Sequence, residues 1–454
     1  MYSDIGIIGL GVMGRSLAIN MLNHDFKVSG YNRSFEAVKA MIDQDFRHFH
    51  GFDNIEDFMA SLTKPKIVLL MVAAGDPVDE MIAKVKPYLA KGDIIMDGGN
   101  SFFKDSERRN IALKEEGIYF YSVGVSGGEK GALNGPSIMP SGDKEVYPLV
   151  GRILETIAAK KDDEPCCRYI GTLGSGHYVK MVHNGIEYAD MQLIAESVSL
   201  LKASGYDNEF IADEIARWNT GAIESYLLGI TSNILIEKEE DQYLVDLIVD
   251  MSSHKGTGKW TSMQALEQDV NVSLIQAAFM ARLMSNQTLL RENFSQKAAK
   301  IKIDPLVLRR AYALGKLTAY AQGFAMYREA SSRYDYQLDL EAIASIFRAG
   351  CIIQSELLEE LRLVFDEDPN IENILLAPRF KEWINDNLDD LRKITSIATL
   401  AGLPTPIYQE ATTYLNQIHA EKLGANIIQA QRDYFGAHTF KRIDKEGSFH
   451  YEWE

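Results

Sequence analysis

The chain reads as an α/β Rossmann-like N-terminal domain followed by a large all-α domain and a short C-terminal tail. Three observations carry this expectation. Short β-rich apolar runs alternate with helical patterns as far as Gly176. Beyond it apolar residues recur with helical period to about residue 420, and no proline interrupts the stretch between Pro165 and Pro305. From Gly424 the pattern turns mixed, aromatic and basic. The expected divisions are residues 1–176, 177–423 and 424–454, since 454 residues are too many for one core.

In chain order, strands are expected at Ile5 to Ile8, Lys27 to Tyr31, Ile67 to Val72, Ile94 to Met96 and Tyr119 to Val123, a rhythm that means a parallel sheet with crossover helices. Runs at Ser137 to Met139 and Cys166 to Ile170 add edge strands, with a helix from Asp143 to Ala159 between them. A further helical run spans Ala277 to Leu290.

Composition narrows the function classes. With 46% hydrophobic and 24% charged residues and no apolar run of membrane-spanning length, the chain is expected to be soluble. Met1 to Asp4 leads straight into the first strand, leaving no room for a signal peptide, so a cytoplasmic location is expected. A net charge of -17 disfavours nucleic acid and membrane as partners, so an anionic ligand needs a local basic cluster. The three cysteines, Cys166, Cys167 and Cys351, have no C-x-x-C spacing and read as reduced and structural; the histidines are scattered, and no metal site is expected.

Gly9-Leu10-Gly11-Val12-Met13-Gly14 follows the first strand and opens a helix, the context in which G-x-G-x-x-G cradles a dinucleotide pyrophosphate. The second strand ends in Tyr31-Asn32-Arg33-Ser34 rather than in an acid. Arg33 can bind a 2′-phosphate and stack on adenine, with Asn32 and Ser34 as neutral donors, so NADP is the expected cofactor. On the substrate side, Asp97-Gly98-Gly99-Asn100-Ser101 and Val125-Ser126-Gly127-Gly128-Glu129-Lys130-Gly131 follow two strand ends and offer backbone donors with Asn100 and Ser126. Helical spacing then puts Lys180, His183, Asn184 and Glu187 on one face, while Val179, Val182, Ile186, Ala189 and Leu193 keep the period of a core face. Alone, such a stripe reads first as a solvated face, and the glycine-rich segments that precede it shift the reading toward a site. Lys255-Gly256-Thr257-Gly258-Lys259-Trp260 fails the Walker pattern but suits a substrate phosphate, and Arg282 could add a fork-shaped partner.

Together GLGVMG, YNRS, DGGNSFF, VSGGEKGA, GPSIMP, GHYVKMVHNGIEYADMQL, KGTGKW, FRAGCII and QRDYFGAHT span the chain in order and resemble the decarboxylating 6-phosphogluconate dehydrogenases, of the β-hydroxyacid dehydrogenase superfamily. The resemblance implies NADP-dependent oxidation of 6-phospho-D-gluconate to D-ribulose 5-phosphate and CO2 in the pentose phosphate pathway, by a metal-free homodimer with shared active sites. It implies Lys180 as general base and Glu187 as acid. It assigns Asn100, Ser126, Gly127, Gly128, His183 and Asn184 to the carboxylate and hydroxyls, and Tyr188, Lys255, Thr257 and Arg282 to the phosphate. Arg432 and His438 match residues that reach the substrate from the other subunit. On the cofactor side it implies Gly9, Gly11, Val12, Met13, Gly14, Asn32, Arg33, Ser34, Met71, Val72, Ala73 and Asn100, with Ala73 standing where many relatives carry lysine. Two rivals are another β-hydroxyacid dehydrogenase, which would leave Lys255, Arg282 and Arg432 unpaired, and a catalytically inactive dinucleotide sensor, which would not need Lys180 together with Glu187.

Overall fold

A computed structural model describes residues 2–254 and 256–453. Seven strands form the main sheet: β1 (Ile5–Ile8), β2 (Val28–Tyr31), β3 (Phe49–Phe52), β4 (Ile67–Leu70), β5 (Ile94–Asp97), β6 (Tyr119–Ser126) and β7 (Ser137–Ser141). Their order is β3-β2-β1-β4-β5-β6-β7. Strands β1 to β6 run parallel, and β7 returns antiparallel to β6. β1, β4 and β5 are buried throughout because helices cover both faces of the sheet, which is why they read as unbroken apolar runs rather than alternating ones. The strand order reverses between β1 and β4, opening a crevice at the carboxyl ends of the strands. The glycine-rich segments 9–14, 97–101 and 125–131 all lie at that edge.

The second part is helical, as the periodicity predicts. Its axis is a pair of 29-residue helices, Ser175–Ala203 and Pro305–Arg333. Asp304 caps the second by accepting from the Leu306 amide at 2.9 Å, and Pro305 occupies a first-turn position where its missing N–H costs nothing. The two helices approach closely because Gly315 and Gly323 present no side chain. A Cβ at Gly315 would stand 2.9 Å from Leu193, and one at Gly323 would stand 2.5 Å from Ile186. Between them lies a buried ion pair, with Lys316 Nζ donating to Asp190 at 2.7 Å and Tyr312 donating to the same carboxylate at 2.9 Å. No helix among the described residues is long and apolar enough to cross a membrane.

Three expectations on elements are corrected, and one strand, β3, is added to those expected. β3 carries no clear apolar run, since Phe49 and Phe52 flank His50 and Gly51 and all four residues are half-buried at the sheet edge. Cys166 to Ile170 is not a strand: Cys167 and the adjoining Gly171 make only isolated parallel bridges to Ile138 and Ser141. The helix expected from Asp143 begins at Tyr147 after a 3-10 turn, because Pro148 is tolerated only in the first turn. The run from Ala277 to Leu290 is broken, with helices at Ser273–Ser285 and Thr288–Phe294. A two-residue hairpin, Lys238–Glu239 with Gln242–Tyr243, also interrupts the helical part.

The tail contains the helix Ala425–Gly436 and a bridge between Phe440 and Phe449.

Candidate active site

The helix Ser175–Ala203 enters the sheet edge through glycine. A Cβ on Gly176 would stand 2.3 Å from the Met139 carbonyl and 2.5 Å from that of Ser122, while its amide donates to Ser141 Oγ at 2.7 Å. One turn later Lys180 lies against Gly124 of β6, where a Cβ would come within 2.7 Å of the lysine Cβ. The polar stripe therefore faces the end of β6 rather than water. Lys180 is buried and its Nζ stands 3.5 Å from His183 Nδ1. His183 is fully buried, 3.2 Å from Ser126 Oγ through Nε2 and 3.2 Å from Asn184 Oδ1 through Nδ1. Glu187, 21% exposed, approaches the same Nδ1 at 3.8 Å. Lys180, Ser126, His183, Asn184 and Glu187 thus form one cluster.

Burial sets its electrostatics. It lowers the Lys180 pKa, a shift that the Glu187 carboxylate opposes. It raises the Glu187 pKa, against the pull of Lys180 and Arg282. His183 is driven well below the usual imidazole range by burial and then by Lys180, so it is neutral and its contact with Glu187 is not an ion pair. Burial thus makes the amine readier to shed its charge and the carboxyl readier to keep its proton than either would be in water.

The Asn100 loop is braced from below. Asp97, at the end of β5, accepts from the Gly99 amide at 3.0 Å and from Ser101 Oγ at 2.6 Å. Its carbonyl meets His177 Nε2 at 3.0 Å, which ties the loop to the first turn of the site helix, and His177 Nδ1 is 2.7 Å from Ser106 Oγ. The buried Arg109 donates to the Gly75 carbonyl at 3.0 Å and to Asp79, and lies 3.6 Å from Asp97. It links the loop after β4 to the loop after β5. Sequence reading missed His177 and Arg109 because their partners are distant in the chain, and nothing distinguishes Arg109 from its exposed neighbour Arg108. Asn100 itself is exposed. Gly127 and Gly128 have φ of +115° and +63°, and a Cβ on Gly127 would stand 2.6 Å from the Gly350 carbonyl of the FRAGCII segment.

On the cofactor side the glycines divide by role. Gly9 has φ of +100° and passes the Met71 carbonyl, where a Cβ would sit at 2.3 Å, and a Cβ on Gly14 would be 1.9 Å from the Gly9 carbonyl. Gly11, the N-cap of the helix Val12–Asn23, faces open space, leaving backbone accessible at a helix N-terminus. These residues fit a dinucleotide pyrophosphate. Val12 is exposed and Met13 half-buried on the first turn of that helix. Asn32 is not the free donor expected. Its Oδ1 accepts from the Leu10 amide at 2.9 Å and its Nδ2 donates to the Ser34 carbonyl at 3.0 Å, so it shapes the glycine loop. Ser34 Oγ points to Glu36 at 3.5 Å, a carboxylate two residues beyond the segment considered. Arg33 is exposed, and its guanidinium meets no protein partner among the described residues. Met71 and Val72 are half-buried and Ala73 exposed beside this loop.

Further along the site helix, Tyr188 is buried under Arg282, whose guanidinium lies 3.5 Å above the ring. Gly258 also packs against Tyr188, with a Cβ there 2.6 Å from the ring. Thr257 begins the next helix after Gly256 at φ of +98°. Lys255 lies outside the described residues. Arg432 and His438 are exposed on the tail, with Arg432 donating to Gln429 at 3.2 Å; among the described residues no bond joins either to the site helix. The three cysteines are free and buried.

Comparison with known proteins meets this geometry from outside. The family described as the NAD binding domain of 6-phosphogluconate dehydrogenase matches residues 4–171, and the 6-phosphogluconate dehydrogenase C-terminal domain matches residues 176–453. The decarboxylating 6-phosphogluconate dehydrogenase of Escherichia coli is 48% identical over 99% of both chains, and the NADP(+)-dependent decarboxylating enzyme of Bacillus subtilis is 45% identical over 99% of both. The solved structure of Plasmodium falciparum 6-phosphogluconate dehydrogenase, described apo, with its cofactor NADP+ and with its substrate, is 39% identical and superposes with a TM-score of 0.95 over 99% of this chain and 100% of that one. A switch-point crevice built for a dinucleotide, a buried lysine and carboxyl on the helix beside it, and matches running almost from end to end leave one assignment: this chain is a member of the 6-phosphogluconate dehydrogenase family.

Proposed function

We propose that the chain catalyses oxidative decarboxylation of 6-phospho-D-gluconate to D-ribulose 5-phosphate and CO2 with reduction of NADP+, acting in the cytoplasm as a homodimer within the oxidative pentose phosphate pathway. The observation that carries the reading is the burial of Lys180 against β6, on the same helix face as Glu187. NADP+, when bound, supplies the hydride acceptor for carbon 3 of the substrate. Gly9 and Gly14 permit the tight turn and Gly11 leaves backbone open for its pyrophosphate beside Val12 and Met13, and the exposure of Arg33 supports a contact with its 2′-phosphate.

Neutral Lys180 takes the proton from the 3-hydroxyl as hydride departs, giving a 3-keto acid. The carbonyl lies β to the carboxylate and accepts the electrons released when CO2 leaves, and protonated Lys180 hydrogen-bonds that oxygen. Glu187 then delivers a proton to carbon 1 of the enediol. Asn100, Ser126, Gly127, Gly128, His183 and Asn184 surround the carboxylate and hydroxyls. Tyr188, Lys255, Thr257 and Arg282 hold the phosphate, where the stacking of Arg282 on Tyr188 orients its fork. Arg432 and His438 complete the site from the second subunit. Exposed apolar side chains on the tail, Ile427, Ile428 and Phe435 among them, support a docked rather than a free tail.

The test is turnover of 6-phosphogluconate with NADP+, following reduced cofactor and released CO2 together. Lys180→Met is expected to bind both ligands and lose roughly 10²- to 10⁴-fold in kcat. Retention of more than a few per cent of activity would refute the base assignment.

A further inference from the structure

Among the described residues of the tail, Asp433 alone is fully buried, while its neighbouring side chains are exposed or half-buried. Its carboxylate gathers four donors from three later parts of the tail. Oδ1 accepts from the Thr439 amide at 2.9 Å and from His450 Nδ1 at 3.0 Å, while Oδ2 accepts from the Tyr451 amide at 3.0 Å and from Trp453 Nε1 at 2.8 Å. Burial would raise its pKa, yet the bonds from His450, Tyr451, Trp453 and Thr439 hold it down at about 2. Around this centre the Phe440–Phe449 pairing closes the loop with two backbone bonds, and Trp453 packs against Tyr451 with ring centroids 5.3 Å apart.

Arg432 and His438 flank Asp433 in the chain. Arg432 precedes Asp433 on the tail helix, and His438 occupies the turn between two left-handed residues, Ala437 at φ of +48° and Thr439 at +60°. Neither backbone angle is comfortable for a residue with a side chain, and the turn is held where the Thr439 amide meets Asp433 and the Thr439 carbonyl accepts from Gln429 at 2.6 Å. We infer that Asp433 is a positioning residue for the reaction: by collecting these donors it preforms the tail as a rigid clip that presents Arg432 and His438 to the substrate bound on the other subunit. The inference rests on the shared-site reading above. It adds that the tail arrives folded, so the ordering cost of its residues is met before substrate binds.

Asp433→Asn keeps the size but turns one oxygen into a donor facing donors. The expected result is a rise of about tenfold or more in the KM for 6-phosphogluconate, with kcat changed much less and the NADP+ dissociation constant unchanged. Trp453→Phe removes one donor and keeps an aromatic ring, so it shifts the same KM in the same direction by less. Wild-type KM in both variants overturns the inference. Mixed dimers separate it from the reading beneath. Asp433→Asn subunits paired with Lys180→Met subunits regain a wild-type KM in the site that combines an intact Lys180 with an intact tail, and Arg432→Ala subunits paired with Lys180→Met do likewise. If the Arg432→Ala pairing recovers and the Asp433→Asn pairing does not, Asp433 acts within its own subunit and the inference falls alone. If neither recovers, the shared site falls and takes the inference with it.

Discussion

Lys180 and Glu187 move toward each other on the pH scale for a single reason, which is that both are buried. Burial penalises the charged form of each, lowering the amine and raising the acid, and their mutual attraction only moderates the effect. The sequence placed the two on one helical face but left open whether that face met water, so burial as the cause of both shifts was not legible in it. The cofactor side shows the opposite case. The sequence indicated Arg33, Asn32 and Ser34 as a set, whereas the structure commits Asn32 to the Leu10 amide and turns Ser34 toward Glu36, so of the three it is Arg33 that is left for the proposed recognition of a 2′-phosphate. Arg33→Asp is accordingly expected to raise the KM for NADP+ at least about tenfold more than that for NAD+. Steady-state kinetics with both cofactors checks this, and an unchanged preference would remove Arg33 from the role.

The site helix does more than carry the cluster. Two turns past Glu187, the buried Glu196 accepts from the Ile407 and Tyr408 amides at 3.1 and 3.2 Å, holding the N-terminus of the helix Pro406–His419. Burial is the leading cause that raises its pKa from 4.5 to about 7, against the bonds from those amides and from Gln192. Because the fold prefers this carboxyl protonated, its stabilising contribution is complete below about pH 4.5 and is lost as pH climbs through about 7. Glu196→Gln, which mimics the protonated acid, is expected to raise the unfolding midpoint at pH 8 by the equivalent of up to about 3 kcal/mol and to change it little at pH 4.5. Thermal unfolding across that pH range measures it, and parallel curves for the two proteins would sink the idea. Elements of this kind were the readable part of the chain: β1, β4 and β5 are apolar because they are covered on both faces, and the site helix lies in the proline-free stretch, while its 29-residue partner opens on Pro305. β3 escaped notice because an edge strand buried only in part needs no apolar run, and Cys166 to Ile170 misled because apolar residues pack beside β7 without joining its ladder.

At the scale of the molecule, the site is a seam between the sheet edge and the helical part, closed by glycines on both sides. Ser137 donates to the Gly350 and Ile346 carbonyls, and the Gly176 amide donates to Ser141, so β7 is bonded directly to the helical half. Gly176→Ala would push a methyl group against two backbone carbonyls that cannot rotate away. It is expected to cost about 1–3 kcal/mol in stability and to weaken turnover through displacement of Lys180. Denaturant unfolding with parallel kinetics tests this, and wild-type values in both would show that the seam has slack. The sequence located the ingredients of the seam by their motifs but not its closeness, because a glycine in a helix or strand declares only that a side chain is missing, never what occupies the space. Gly124 sits inside β6, where glycine ordinarily weakens a strand, and the vacancy it leaves is filled by the stem of Lys180. Strand and lysine are thus complementary halves of one shape, so a side chain at position 124 is barred not by chemistry at that residue but by the lysine stem already lodged in its place.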